Sequence, residues 1–180
     1  MKKFLLIVAL GAMSALNGYA QDKTLSQSKA DAFSAKAGTL IEKEYINVGK
    51  FKTVEVQVMV LKDLTASTKT SAIRFLTTVG TGNNSSIKGG AVDADELDVL
   101  IKSLKQIQSS ILNSSRTNYT EVSFKSRSGF ETGCYYRTDK KAWAAFIKLS
   151  KIDPNSMVLM TSDELGQMLT VLEQAKTKLV

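Results

Sequence analysis

The chain contains no histidine and a single cysteine in 180 residues. Without histidine there is no Ser-His-Asp or Cys-His relay, and the commonest ligand of zinc and copper is missing. A lone cysteine forms no internal disulfide and no thiolate metal site. Strand alternation with Phe130 and Tyr136 puts Cys134 on a buried face, as a small apolar residue. No apolar run approaches the roughly 20 residues that a membrane-crossing helix needs. No run of five like charges occurs either, so the 24 basic and 17 acidic residues read as a mixed, solvated surface. The glycines of Gly80-Thr81-Gly82 and Gly89-Gly90 precede no GKS or GKT and fit no phosphate-cradling unit. No cofactor is expected.

The first twenty residues do carry a pattern. Lys2 and Lys3 open it, Phe4 to Met13 are apolar apart from Gly11, and a small, mildly polar stretch ends Gly18-Tyr19-Ala20. This is the layout of a bacterial signal peptide over 1–20, cut between Ala20 and Gln21. The apolar stretch is too short for an anchor, and no cysteine stands at the cut to accept a lipid. The expectation is export to the periplasm or the medium, as a soluble protein. The 22 basic residues left after Lys2 and Lys3, against 17 acidic, give +5, which tolerates an anionic glycan or acidic protein as partner without demanding one. The remaining length suits one domain.

The strongest internal signal is a repeated helix. Leu97, Leu100, Ile101, Leu104, Ile107 and Ile111 share a spacing with Leu165, Met168, Leu169, Leu172, Ala175 and Leu179, each displaced by 68 residues. That spacing is one face of an α-helix. Asp93 and Thr161 stand as N-caps, each followed three residues on by a glutamate that can reach back to the cap amide. The acids Asp93, Asp95, Glu96 and Asp98 therefore read as a helix start, complementing its dipole, and lack the spacing of a calcium loop.

Ahead of each helix come four strand-like segments: 39–48, 51–64, 70–79 and 86–92, then 120–127, 130–138, 142–150 and 156–160. Val54, Val56, Val58 and Val60 alternate with polar or flexible residues, and short turns make the pairing antiparallel. Ile73-Arg74-Phe75 and Ile147-Lys148-Leu149 occupy the same third-strand place. The expected fold is α+β, a single domain over 38–180. It is built of duplicated antiparallel ββββα units, 38–112 and 116–180, each a four-stranded sheet backed by its own amphipathic helix. Residues 21–37 form an arm or short helix, with Leu25 and Phe33 as its sizeable apolar residues. Over residues 39–179 this order of elements resembles that of the Whirly-type single-strand-binding proteins, in topology alone. None of that family's motifs is present, so the resemblance assigns no residue a role.

Candidate chemistry is sparse. Ser26-Gln27-Ser28-Lys29 matches a serine-x-x-lysine string without its companion motifs. Glu42, Glu44, Glu55, Glu121, Glu131 and Asp139 could serve a carboxylate-dependent glycan hydrolase, but nothing singles out a pair. No catalytic or metal-ligating residue is assigned. The alternation instead puts Lys125, Arg127, Tyr135 and Arg137 on the sheet face opposite the core, near Tyr119, Tyr136 and Trp143. The functional expectation is an exported, non-enzymatic binding module of the bacterial envelope. A binder of single-stranded nucleic acid or anionic glycan is the alternative, and a glycan hydrolase a further one. Sheet edges and faces leave room for a homo-oligomer.

Overall fold

The computed structural model describes residues 27–80 and 82–180. The expected leader at 1–20 lies outside the described residues, as does most of the segment between it and the first helix. A short helix α1 (Lys29–Ser34) precedes four strands, β1 (Ile41–Phe51), β2 (Val54–Asp63), β3 (Thr68–Val79) and β4 (Ser86–Asp93). Helix α2 (Leu97–Gln106) follows. Then come β5 (Glu121–Lys125), β6 (Glu131–Arg137), β7 (Ala142–Lys148), β8 (Met157–Met160) and α3 (Ser162–Lys176). The result is an α+β fold with two four-stranded antiparallel sheets in the orders β1-β2-β3-β4 and β5-β6-β7-β8. The second-half strands are shorter than expected, because the chain leaves the ladder at Lys125 and again at Lys148.

The alternation in β2 does what a period of two requires. Val54, Val56, Val58 and Val60 are each at most 3% exposed, and each contributes roughly 1.5–3 kcal/mol by leaving water. They meet Ile73, Phe75 and Val92 from their own sheet and Phe130, Cys134, Ala145 and Ile147 from the other, in one continuous cluster. Phe75 and Phe130 stack across the two halves with ring centroids 4.5 Å apart. The sheets also touch through backbone. A side chain at Gly90 would collide with the Leu149 carbonyl, and Ser126 and Ser128 both donate to the Ala91 carbonyl. Only a glycine fits that approach.

The helical stretches bury ten of the twelve expected residues, including Leu100 and Met168, whereas Ile111 and Leu179, beyond the ends of α2 and α3, are partly buried. The last turn of the first helical stretch widens, with the Leu112 amide donating to the Ile107 carbonyl at 3.0 Å. The pairing of helix with sheet differs from the expectation of one helix behind its own sheet. Helix α3 packs on β1 and β2 of the first half. Val171 lies against Gly49, and the Lys178 ammonium donates to the Asn47 carbonyl. The far end of α2 and the turn after it sit beside Val122 and Phe124 of β5. Sequence spacing fixes which face of a helix is buried, but not which sheet lies under it.

A pair of reciprocal contacts accompanies this exchange. Arg127, in the turn between β5 and β6, reaches the start of α2, where it meets Asp93, Asp95 and Glu96. Its own amide donates to Glu96 at 3.0 Å. Lys52, in the equivalent turn between β1 and β2, reaches the start of α3, donating to the Leu159 carbonyl at 2.7 Å and to Glu164 at 3.3 Å. Each cap glutamate also accepts from its cap amide, Glu96 from Asp93 at 3.3 Å and Glu164 from Thr161 at 2.8 Å. Among the described residues no helix is long and apolar enough to cross a membrane.

Candidate functional site

The ladder registers define which positions of the two sheets correspond. Val58 lies opposite Ile73 and Thr132 opposite Ile147, so both strands shift by 74 residues between halves. By that shift Gln57, Met59 and Leu61 correspond to Glu131, Gly133 and Tyr135, and Arg74 and Ala72 to Lys148 and Phe146. All of them point away from the shared core, on the outer faces.

In the first sheet part of this outer face is covered. Leu61 and Ala72 are fully buried beneath Ala30 and Phe33 of α1, with Met59 alongside. The helix is held there by one carboxylate. Asp93 accepts from the Ser28 hydroxyl at 2.8 Å and from the amides of Lys29 and Ala30 at 2.7 and 3.1 Å. The same carboxylate faces the Arg127 guanidinium.

In the second sheet the corresponding positions carry rings, and among the described residues no helix crosses them. Tyr119, Tyr135 and Phe146 form a row with successive centroids 6.3 and 6.1 Å apart. Phe146 is the floor, only 4% exposed, while Tyr119 at the rim is 63% exposed. Gly133 lies directly opposite Phe146 in the ladder and puts no side chain beside it. With Glu121, Glu131, Lys148 and Met157 these rings line a shallow recess of about 310 Å³, at the small end of the range for ligand sites. The Tyr119 hydroxyl donates to Glu121 at 3.0 Å, and that carboxylate raises the phenol above its ordinary pKa. Glu131 meets the Lys125 ammonium at 3.1 Å.

Of the residues that alternation assigned to this face, Lys125, Tyr135 and Arg137 lie on it and Arg127 does not. Arg127 follows the end of β5, where the alternation stops, and turns back into the carboxylates of the first half. Lys125 stands opposite Glu131 and Arg137 six residues further along β6, roughly 20 Å away at strand rise. Each cation has an acid beside it, since Arg137 pairs with Asp139 at 3.2 Å. These charges do not converge. Of the candidate acids, Glu42 and Glu44 share Lys62, whereas Glu121 and Glu131 both line the recess. Glu131 shares a face with Tyr135 by alternation along β6, whereas Phe146, Lys148 and Met157 joined the site through register, which the pattern along one strand does not reveal.

Trp143 points to the inner side and packs partly against the core. Its indole nitrogen donates to the Ser114 carbonyl at 2.7 Å, with Tyr136 edge-on at 5.3 Å and the Arg116 guanidinium at 5.4 Å. It ties down the segment that links the halves. Cys134 is buried, and burial pushes its thiol up to about 11. On the first sheet, Arg74 lies over the Tyr45 ring at 4.7 Å and donates to Gln57, which donates to Asn47 at 2.9 Å. The acids at the start of α2 are matched by Arg127 and Lys29.

Comparison with known proteins returns no significant match to any family model, curated protein or solved structure.

Proposed function

We propose that this chain is an exported, non-enzymatic binding module of the bacterial envelope, and that its ligand surface is the outer face of the second sheet. One observation carries the reading. Tyr119 and Tyr135 line an open recess floored by Phe146, while Leu61 and Ala72, the counterparts of Tyr135 and Phe146, are roofed by α1. Open, contiguous apolar surface rimmed by polar groups is what interaction sites look like. The leader over 1–20 supplies the destination.

The element order shared with Whirly-type proteins, and the basic balance of the chain, favour an oligonucleotide as the second reading. The recess itself argues against it, because Glu121 and Glu131 would face the phosphates with Lys148 as the sole cation lining it.

Two measurements test the proposal. The mass of the protein recovered from the periplasm or medium should correspond to a chain starting at Gln21. Retention of the protein on purified envelope material should fall when Tyr119 and Tyr135 are both replaced by alanine. Unchanged retention in that double variant would remove the surface from this face.

A further inference from the structure

Resting on that reading of the face, we infer that the recess binds a neutral, hydroxyl-rich glycan. The shape of the platform points first. The Tyr119 and Tyr135 rings are tilted by only 33° and their centroids lie 6.3 Å apart. Two rings set at that angle in a shallow recess offer apolar faces to a flat ligand. A box for an ammonium group needs walls that surround it, and these rings do not. The C–H face of a pyranose is apolar and stacks on such a surface, while its hydroxyls point sideways to the rim.

The rim is built to meet hydroxyls. Glu121 and Glu131 are acceptors with several lone pairs each, of which the Tyr119 hydroxyl and the Lys125 ammonium occupy some. Lys148 is a donor directly across the ladder from Glu131, partly buried in the wall of the recess. Paired acceptors and a donor around a stacking floor complement a polyol, whose groups both give and receive. Glu121 and Glu131 stand against Lys148 in the lining and the Lys125 ammonium on Glu131, so the charges balance and no free cation is left to hold an anion. A uronic acid, a sulfated sugar or a phosphodiester would find no unpaired cation there, so the ligand class is neutral despite the basic charge of the whole chain. The volume of about 310 Å³ limits direct contact to a few sugar units.

The test is a fluorescence titration of the full chain with defined probes. Cellohexaose, laminarihexaose, maltohexaose and a chitin hexamer serve as neutral glycans, with oligogalacturonate, a heparin fragment and oligothymidine as anions. At least one neutral probe should bind, with affinity nearly unchanged as salt rises. Tyr119→Ala should weaken it about tenfold, and Tyr119→Phe, which keeps the ring, far less. Because Tyr119 is mostly exposed, its variants keep the fold, and circular dichroism verifies this. Binding confined to anions, or to none of the probes, overturns the inference. So does binding that Tyr119→Ala leaves intact. Sedimentation tests a second copy as the occupant, and a dimer dissolved by Tyr119→Ala with no sugar bound would overturn it equally. If envelope retention still depends on Tyr119 and Tyr135 while every glycan fails, the interaction surface stands and the sugar falls.

Discussion

The first sheet is roofed on its outer side by a short helix, and among the described residues none covers the second. The two faces share strand order and register, so the difference lies in the side chains at matching positions. Met59, Leu61 and Ala72 are aliphatic, cannot offer water anything, and take Ala30 and Phe33 as a lid. Gly133, Tyr135 and Phe146 replace them with a gap and two rings, and a tyrosine can present its hydroxyl while its ring stays apolar. The four-stranded unit occurs twice, and among the described residues a helix lies over the outer face of the first copy alone. The turns that cross between halves differ in the same sense. Arg127 serves three carboxylates, one of them buried, whereas Lys52 makes a single, more exposed ion pair.

The largest effects should come from what the halves share. Leu100→Ala and Met168→Ala each remove a fully buried side chain from the common cluster and should each cost about 2–5 kcal/mol. Urea unfolding should remain one transition for both, and two separate steps would mean that the halves do not share a core. Next come the crossing turns. Arg127→Ala leaves the buried Asp93 carboxylate with neutral donors only and should cost about 3 kcal/mol, against less than about 1 kcal/mol for Lys52→Ala. Equal losses would erase the asymmetry. Smaller still, Phe33→Ala should cost about 1–2 kcal/mol by lifting the lid from Leu61, while Tyr135→Ala on the open counterpart should stay within about 1 kcal/mol.

The smallest effect is a pH dependence. Arg127 holds Asp95 below the usual carboxylate range, and the Thr161 amide does the same for Glu164. A lowered pKa means the folded state takes up protons less readily than the unfolded one. Their stabilisation is therefore complete above about pH 4.5 and is lost as the pH falls through the lower, folded values. Urea midpoints measured on either side of that window should fall on the acid side, and fall less in Arg127→Ala.

Much of this architecture was legible in the sequence because it rests on local periods. The valine alternation of β2 and the shared spacing of the helices depend on residues a few positions apart, and both formed as expected. What was not legible is non-local. Arg127 continued the alternation of Lys125 by count, but the ladder ends at Lys125, and the acids it meets lie more than thirty residues upstream. The lid on the first sheet did leave a trace, since Met59 and Leu61 interrupt the polar side of β2 and Phe33 is one of two sizeable apolar residues in the arm. Neither residue names the other. The recess needed cross-strand register to bring Glu131, Phe146 and Lys148 together, and no single-strand pattern contains that.

The exchange of helices has a practical outcome for anyone who would dissect the molecule. Severing the chain in the linker around Ser115 would not release two modules, because α3 leaves with the half whose sheet it does not serve. Each piece alone would show bare sheet and aggregate. Expressed together, the two pieces should find one another and restore the intact fold, as a noncovalent pair purifying in equal amounts.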